Sequence, residues 1–190
     1  MTGWDLPRSV QVGGRDWAVH ADFRDVLDVI GWLEGAQGES LLPEERWYVA
    51  LALFYRDFPK MPETCRPEAA RKLAEFIAGG RAESGPAGPR LLDWQRDAPL
   101  IAAGVNRAAG CEVRALPFVH WWSFLGWFSA IGEGPLATVV AIRDKLRRGK
   151  KLEPWELSYY RAHRDQVDLR PARSAAEQAE HDRLLALLNN

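Results

Sequence analysis

Asp93 and Asp97 stand four residues apart, so on a helix their carboxylates share one face, a turn from each other. Paired carboxylates can do acid–base work or hold a divalent cation, and His120 is a candidate third group. The same spacing also serves capping and pairing with Arg96 or another arginine. That is the reading the residues favour, with Asp93 as the N-cap of its helix. His20, His120, His163 and His181 form neither an HxH nor an HExxH arrangement. His120 precedes Trp121 and Trp122 in an apolar run and reads as a core histidine bonded to a neighbour. Cys65 and Cys111 lie in separate segments without metal-ligand spacing, so both read as reduced thiols of a cytoplasmic protein. There is no nucleophile elbow and no phosphate-binding glycine loop. The residues therefore predict no catalytic, cofactor or metal site, and not an enzyme.

Arg143, Lys145, Arg147, Arg148, Lys150 and Lys151 gather positive charge at the end of a predicted helix, where cations complement the helix dipole. Asp144, Glu153 and Glu156 interrupt the cluster, whereas nucleic-acid binding needs a broader basic face. Across 190 residues, 25 basic and 26 acidic side chains leave a formal charge of −1, with no global pull toward nucleic acid or an anionic membrane. The longest apolar run, residues 115–131, is interrupted by His120, Ser123 and Gly126 and falls short of the roughly 18 residues that span a bilayer. Residues 1–14 lack the charged and apolar regions of a signal peptide.

The elements that would position these groups follow from periodicity. Residues 9–20 alternate around Gly13-Gly14 and predict a β-hairpin. Phe23, Val26, Leu27, Ile30 and Leu33 then repeat at helical spacing behind Asp22, a predicted N-cap. A helix from Pro43 to Tyr55 is expected to turn Trp47, Leu51, Phe54 and Tyr55 inward. One from Pro67 to Ile77 is expected to use Ala70, Leu73, Ala74 and Ile77, closed by Gly79-Gly80. Residues 93–108 are predicted helical, with Trp94, Ile101 and Val105 inward and Pro99 as a kink or a start. Residues 111–116 are expected to be extended.

Pro117 is expected to open a central helix, apolar almost all round, with Ser123, Gly126 and Ala130 as a small-residue stripe for close backbone approach. Further helices are predicted over 136–148, with Val139, Ile142 and Leu146 inward, and from Glu153 or Pro154 to Asp165. The expected class is mainly α, a multi-helix bundle with a small N-terminal β-hairpin. Its expected organisation is residues 1–79, a Gly/Pro-rich linker at 80–90, a helical region at 91–168 packed on the first part, and a C-terminal tail helix at 169–190.

Certain blocks carry a further signal. They are Trp4-Asp5-Leu6-Pro7, Asp22-Phe23-Arg24, Leu53-Phe54-Tyr55, Asp93-Trp94-Gln95-Arg96-Asp97 with Ile101, Asn106-Arg107, and Leu116-Pro117. His120-Trp121-Trp122-Ser123-Phe124-Leu125-Gly126, Ile142-Arg143-Asp144-Lys145 and Gly149-Lys150-Lys151-Leu152 with Trp155-Glu156 follow. In order and spacing the chain resembles the bacteriophage gene-product-fifteen family, small proteins of long-tailed phages and prophages encoded beside the tape-measure gene.

The resemblance implies a mostly helical fold with a small β element and the work of a tail assembly chaperone. Such a protein holds the tape-measure protein soluble and recruits the tail-tube protein. A second assembly chaperone and self-association into a homo-oligomer are further partnerships that the residues leave open; a structural tail component or a host-directed binding protein are the alternative roles. It brings no catalytic residues, and residues 174–190 have no counterpart in it. An amphipathic tape-measure helix would seat its i, i+3, i+4, i+7 anchors in an aromatic groove. Trp121, Trp122, Phe124 and Trp127 are the candidate partner-binding residues, because neighbouring Trp121 and Trp122 point about 100° apart on a helix. The alternative is that all four, like most of the nine tryptophans, belong to the core.

Overall fold

The computed structural model describes residues 5–35, 37, 38, 40–80 and 90–169. Two strands come first, β1 (Ser9–Val12) and β2 (Arg15–Ala18), paired antiparallel with Val10 opposite Trp17 and Val12 opposite Arg15. Gly13 and Gly14 supply the turn at φ 59° and 74°, a region costly for residues with a Cβ. Alternation turns Val12 and Trp17 inward, and the Trp17 indole N–H donates to Val12 O at 3.2 Å.

Helix α1 (Phe23–Leu33) starts where expected: an Asp22 carboxylate oxygen accepts from the Arg24 N–H at 3.0 Å. Helix α2 (Pro43–Phe54) packs on α1 and buries Ala50, Leu51 and Phe54, followed by buried Tyr55. Trp47, expected inward, is instead on the exposed side at 37%. Residues 47–54 are apolar on every face, and α1 can cover only one of them.

Two 3-10 turns, Phe58–Lys60 and Glu63–Cys65, lead into α3 (Arg66–Ile77). Its buried stripe is Ala69, Leu73 and Phe76, rotated from the expected one; Ala74 is exposed. The larger Phe76 ring takes the inward place, edge-on to Phe54 at 5.0 Å.

Helix α4 (Ala98–Ala109) begins later than the predicted residue 93, with Pro99 in its first turn. Residues 94–97 form a separate turn, which Asp93 caps by accepting from the Gln95 and Arg96 N–H groups at 3.1 and 2.9 Å. The expected extended piece at 111–116 is a 3-10 turn, Val113–Ala115, capped by the Glu112 carboxylate.

Helix α5 (Trp121–Ser129) starts at Trp121 rather than Pro117. The residues before it run extended past the start of α1: Phe23 N–H donates to Val119 O at 2.9 Å and Trp121 N–H to Ala21 O at 2.8 Å. Helix α6 (Pro135–Arg147) buries Val139 and Ile142 but leaves Leu146 exposed, against expectation. The last predicted helix is two, α7 (Pro154–Ala162) and α8 (Arg164–Val167), divided where His163 leaves helical geometry at φ −127°.

The result is a mainly α structure with a minor β-hairpin. One core cluster runs from Val12 through α1–α3 to Ile101, Val105, Trp121, Phe124 and Leu136. A smaller one joins Val139, Ile142 and Val167. The predicted linker and tail helix lie outside the described residues, save Gly80, Arg90 and Leu169.

Candidate functional site

Helix α5 holds all four candidate binding residues, and the structure divides them. Trp121 is 1% exposed and Phe124 3% exposed. Phe124 stacks on Phe23 at 4.6 Å and on Trp121 at 5.6 Å. Both belong to the core, which corrects the expectation that they face a partner. Trp122 and Trp127 are half-buried and keep part of their rings accessible.

The two adjacent indoles share a structural task. The Trp121 N–H donates to Ile77 O and the Trp122 N–H to Phe76 O, each at 2.9 Å. These are carbonyls of the last turn of α3, where the helical ladder runs out; Phe76 O also accepts from the Gly79 N–H at 3.1 Å. Pointing about 100° apart, the pair reaches successive carbonyls at the end of one neighbouring helix. The Trp122 ring also lies against Gly80, where an added Cβ would come within 2.8 Å of it.

His120 is the N-cap of α5. Its Nδ1 accepts from the Trp122 N–H at 3.1 Å, so Nε2 carries the proton and donates to Pro7 O at 2.9 Å. Burial lowers its pKa below the usual histidine value, with the hydrogen bond to Pro7 opposing and Arg8 adding to the shift. This is the bonded core histidine the sequence suggests, with both nitrogens engaged in holding structure.

The acidic pair is likewise structural. Asp97 is 2% exposed and forms a two-pronged ion pair with Arg143, at 2.6 and 2.8 Å. Arg143 uses its remaining donors on Leu91 O, Val167 O and Gln166 O at 2.9, 2.9 and 2.6 Å. Asp97 also accepts from the Asp93 N–H at 2.9 Å. Every donor of the guanidinium is occupied, the condition under which a buried charge is tolerated. The "other arginine" of the sequence reading is thus Arg143, a member of the basic cluster.

The rest of that cluster is partly paired. Lys145 binds both oxygens of Glu156 at 2.7 Å, and Arg147 and Arg148 reach Asp144. The Lys145 hydrogen bond holds the Glu156 pKa below its ordinary value. Asp22 completes the set of long-range ties. Its second oxygen accepts from the Val119 N–H at 2.9 Å, while Arg24 grips the carboxylate and donates to Arg114 O and Leu116 O at 3.0 and 2.7 Å.

The more exposed aromatic rings lie on other helices. Trp155 on α7 is 59% exposed and Tyr48 on α2 is 51% exposed, with Trp47, Leu42 and Leu53 also outward. Tyr48 stands edge-on to Phe58 at 5.1 Å, and the Arg66 guanidinium lies over both rings. The signal for this surface was present: α2 carries more apolar residues than one helix face can hold. Among the described residues no group of three His, Cys, Asp or Glu side chains could hold a metal ion, and no helix is long and apolar enough to cross a membrane. The chain matches no family model, no curated protein and no solved structure.

Proposed function

We propose that the chain is a phage tail assembly chaperone of the host cytoplasm. It would bind the tape-measure protein and support growth of the tail tube around it. What carries the reading is where the blocks resembling the gene-product-fifteen family lie in the fold. Asp22 and Arg24, Asp93 and Asp97, His120 through Trp122, and Arg143 and Lys145 make the polar ties between distant segments. A resemblance carried by such residues favours a shared fold over a chance likeness of surface residues.

The outward aromatics supply the means. Trp155, Tyr48, Trp47 and the accessible parts of Trp122 and Trp127 offer large apolar contact area with polar edges. Such groups dominate the binding of amphipathic helices. The reading is tested by mass spectrometry of purified particles from cells that produce the chain. A chaperone is present in the assembling lysate and missing from finished tails. Stoichiometric retention in the tail would replace this reading with that of a structural component.

A further inference from the structure

Arg96, in the turn before α4, meets Arg161 and Arg164, at the junction of α7 and α8, around an open depression of about 390 Å³ also lined by Ala162 and Asp165. A second depression of about 250 Å³ adjoins it, sharing Arg96 and Asp165 and adding the apolar surfaces of Pro99 and Leu100. The two halves come from segments far apart in sequence, held together by the burial of Arg143 against Asp97 and the carbonyls of Gln166 and Val167. The site is therefore built by the fold and not by one flexible loop.

The arginines are unequally satisfied. Arg164 donates to the Asp168 carboxylate at 3.1 Å, and Arg96 donates to the backbone carbonyl of Asp165. Among the described residues, neither Arg96 nor Arg161 has a carboxylate partner. Among the described residues, three arginines against Asp165 and Asp168 leave one positive charge at the depression. Gathering guanidiniums without a counter-charge is unfavourable, and a planar guanidinium presents paired N–H donors that fit a carboxylate.

We infer that these joined depressions bind an acidic peptide segment of a partner protein, a carboxylate side chain between Arg96 and Arg161 and a neighbouring small apolar side chain on Pro99 and Leu100. One excess charge matches one carboxylate. Asp165 on the lining opposes the denser charge of a phosphate dianion or a nucleic-acid backbone. The inference stands independently of the tail-assembly reading, since it rests on charge and shape alone.

The test is an NMR titration of the full ¹⁵N-labelled chain with an acetylated, amidated peptide, Gly-Ser-Glu-Leu-Ser-Gly. The arginine Nε–H signals of Arg96 and Arg161 should shift saturably, and the same peptide with Gln for Glu should leave them in place. R161Q, at an exposed position, should weaken binding about fivefold with the folded spectrum retained, the scale of one exposed charge pair; R96Q is the second variant. Equal binding of the Gln peptide overturns the inference. So does saturation by inorganic phosphate at equal or lower concentration. Binding that emerges only in the full-length E177Q/E180Q/D182N variant also overturns it, because the chain's own acidic residues would then be the occupant.

Discussion

Asp97 and Arg143 have little freedom to change. Each is almost sealed from water, and each has its polar atoms satisfied by the other and by backbone. Asp97→Ala leaves a guanidinium buried without its counter-charge and should cost about 3–5 kcal/mol in urea unfolding. Replacing both, as Asp97→Leu with Arg143→Met, should recover much of that loss, because the penalty comes from an unpaired charge. A double variant as unstable as the single one would show that the carbonyls on Leu91, Gln166 and Val167 need the arginine itself.

His120 gives a second test at this scale. Its native pKa is lowered from the ordinary value near 6.5, so between the two values the unfolded chain binds the proton and the folded chain does not. Stability should therefore fall as pH drops below about 6.5, until the native pKa is reached. His120→Asn keeps a capping acceptor without a titrating group, and its stability curve should be flatter over that window. Equal slopes for the two proteins would assign the pH dependence to other groups.

Among the elements, several helix beginnings were legible in the sequence, although α4 starts at Ala98 and not at residue 93, and α5 at Trp121 and not at Pro117. Asp22 caps α1, and Pro43, Pro135 and Pro154 each open a helix within a residue of the expected place. The reasons are local: a short acceptor side chain, or a ring that fixes φ and needs no N–H partner. Helix faces were less legible wherever apolar residues ran all round. In α2 periodicity could not show that Trp47 turns out while Leu51 turns in, because that choice is made by α1. In α5 it could not show that Trp121 and Trp122 reach the end of α3, forty-odd residues earlier in the chain. The same limit hid the Asp97–Arg143 pair, whose members were singled out separately as an acidic pair and a basic cluster. The small-residue stripe at Gly126 faces open space, whereas the close approach is at Gly104, where an added Cβ would meet Ile131 at 2.7 Å. Gly104→Ala should thus destabilise by about 1–3 kcal/mol, read from the urea midpoint, while Gly126→Ala should be neutral or stabilising.

For the molecule as a whole, the balance of charge and the outward aromatics set what it can bind. With most of the basic cluster paired internally, affinity for a partner must come from apolar contact and from local charge. Trp155→Ala removes an exposed ring and should change stability little, within about 0.5 kcal/mol by thermal melting; Tyr48→Ala also loses the edge-on contact with Phe58 and the Arg66 guanidinium and should cost about 1 kcal/mol. Under the proposed function both should weaken the hold on the client. Trp121→Ala should instead unfold the protein, since that ring is buried and its N–H satisfies the end of α3.

The most direct measurement is co-expression of the chain with a tape-measure protein, the client that the proposed function requires, followed by purification through a tag on the tape measure. A chaperone should give a soluble complex that contains both chains, diminished when Trp155 and Tyr48 are replaced by alanine. A tape measure that remains insoluble, with the folded chain recovered alone, would contradict the proposed function.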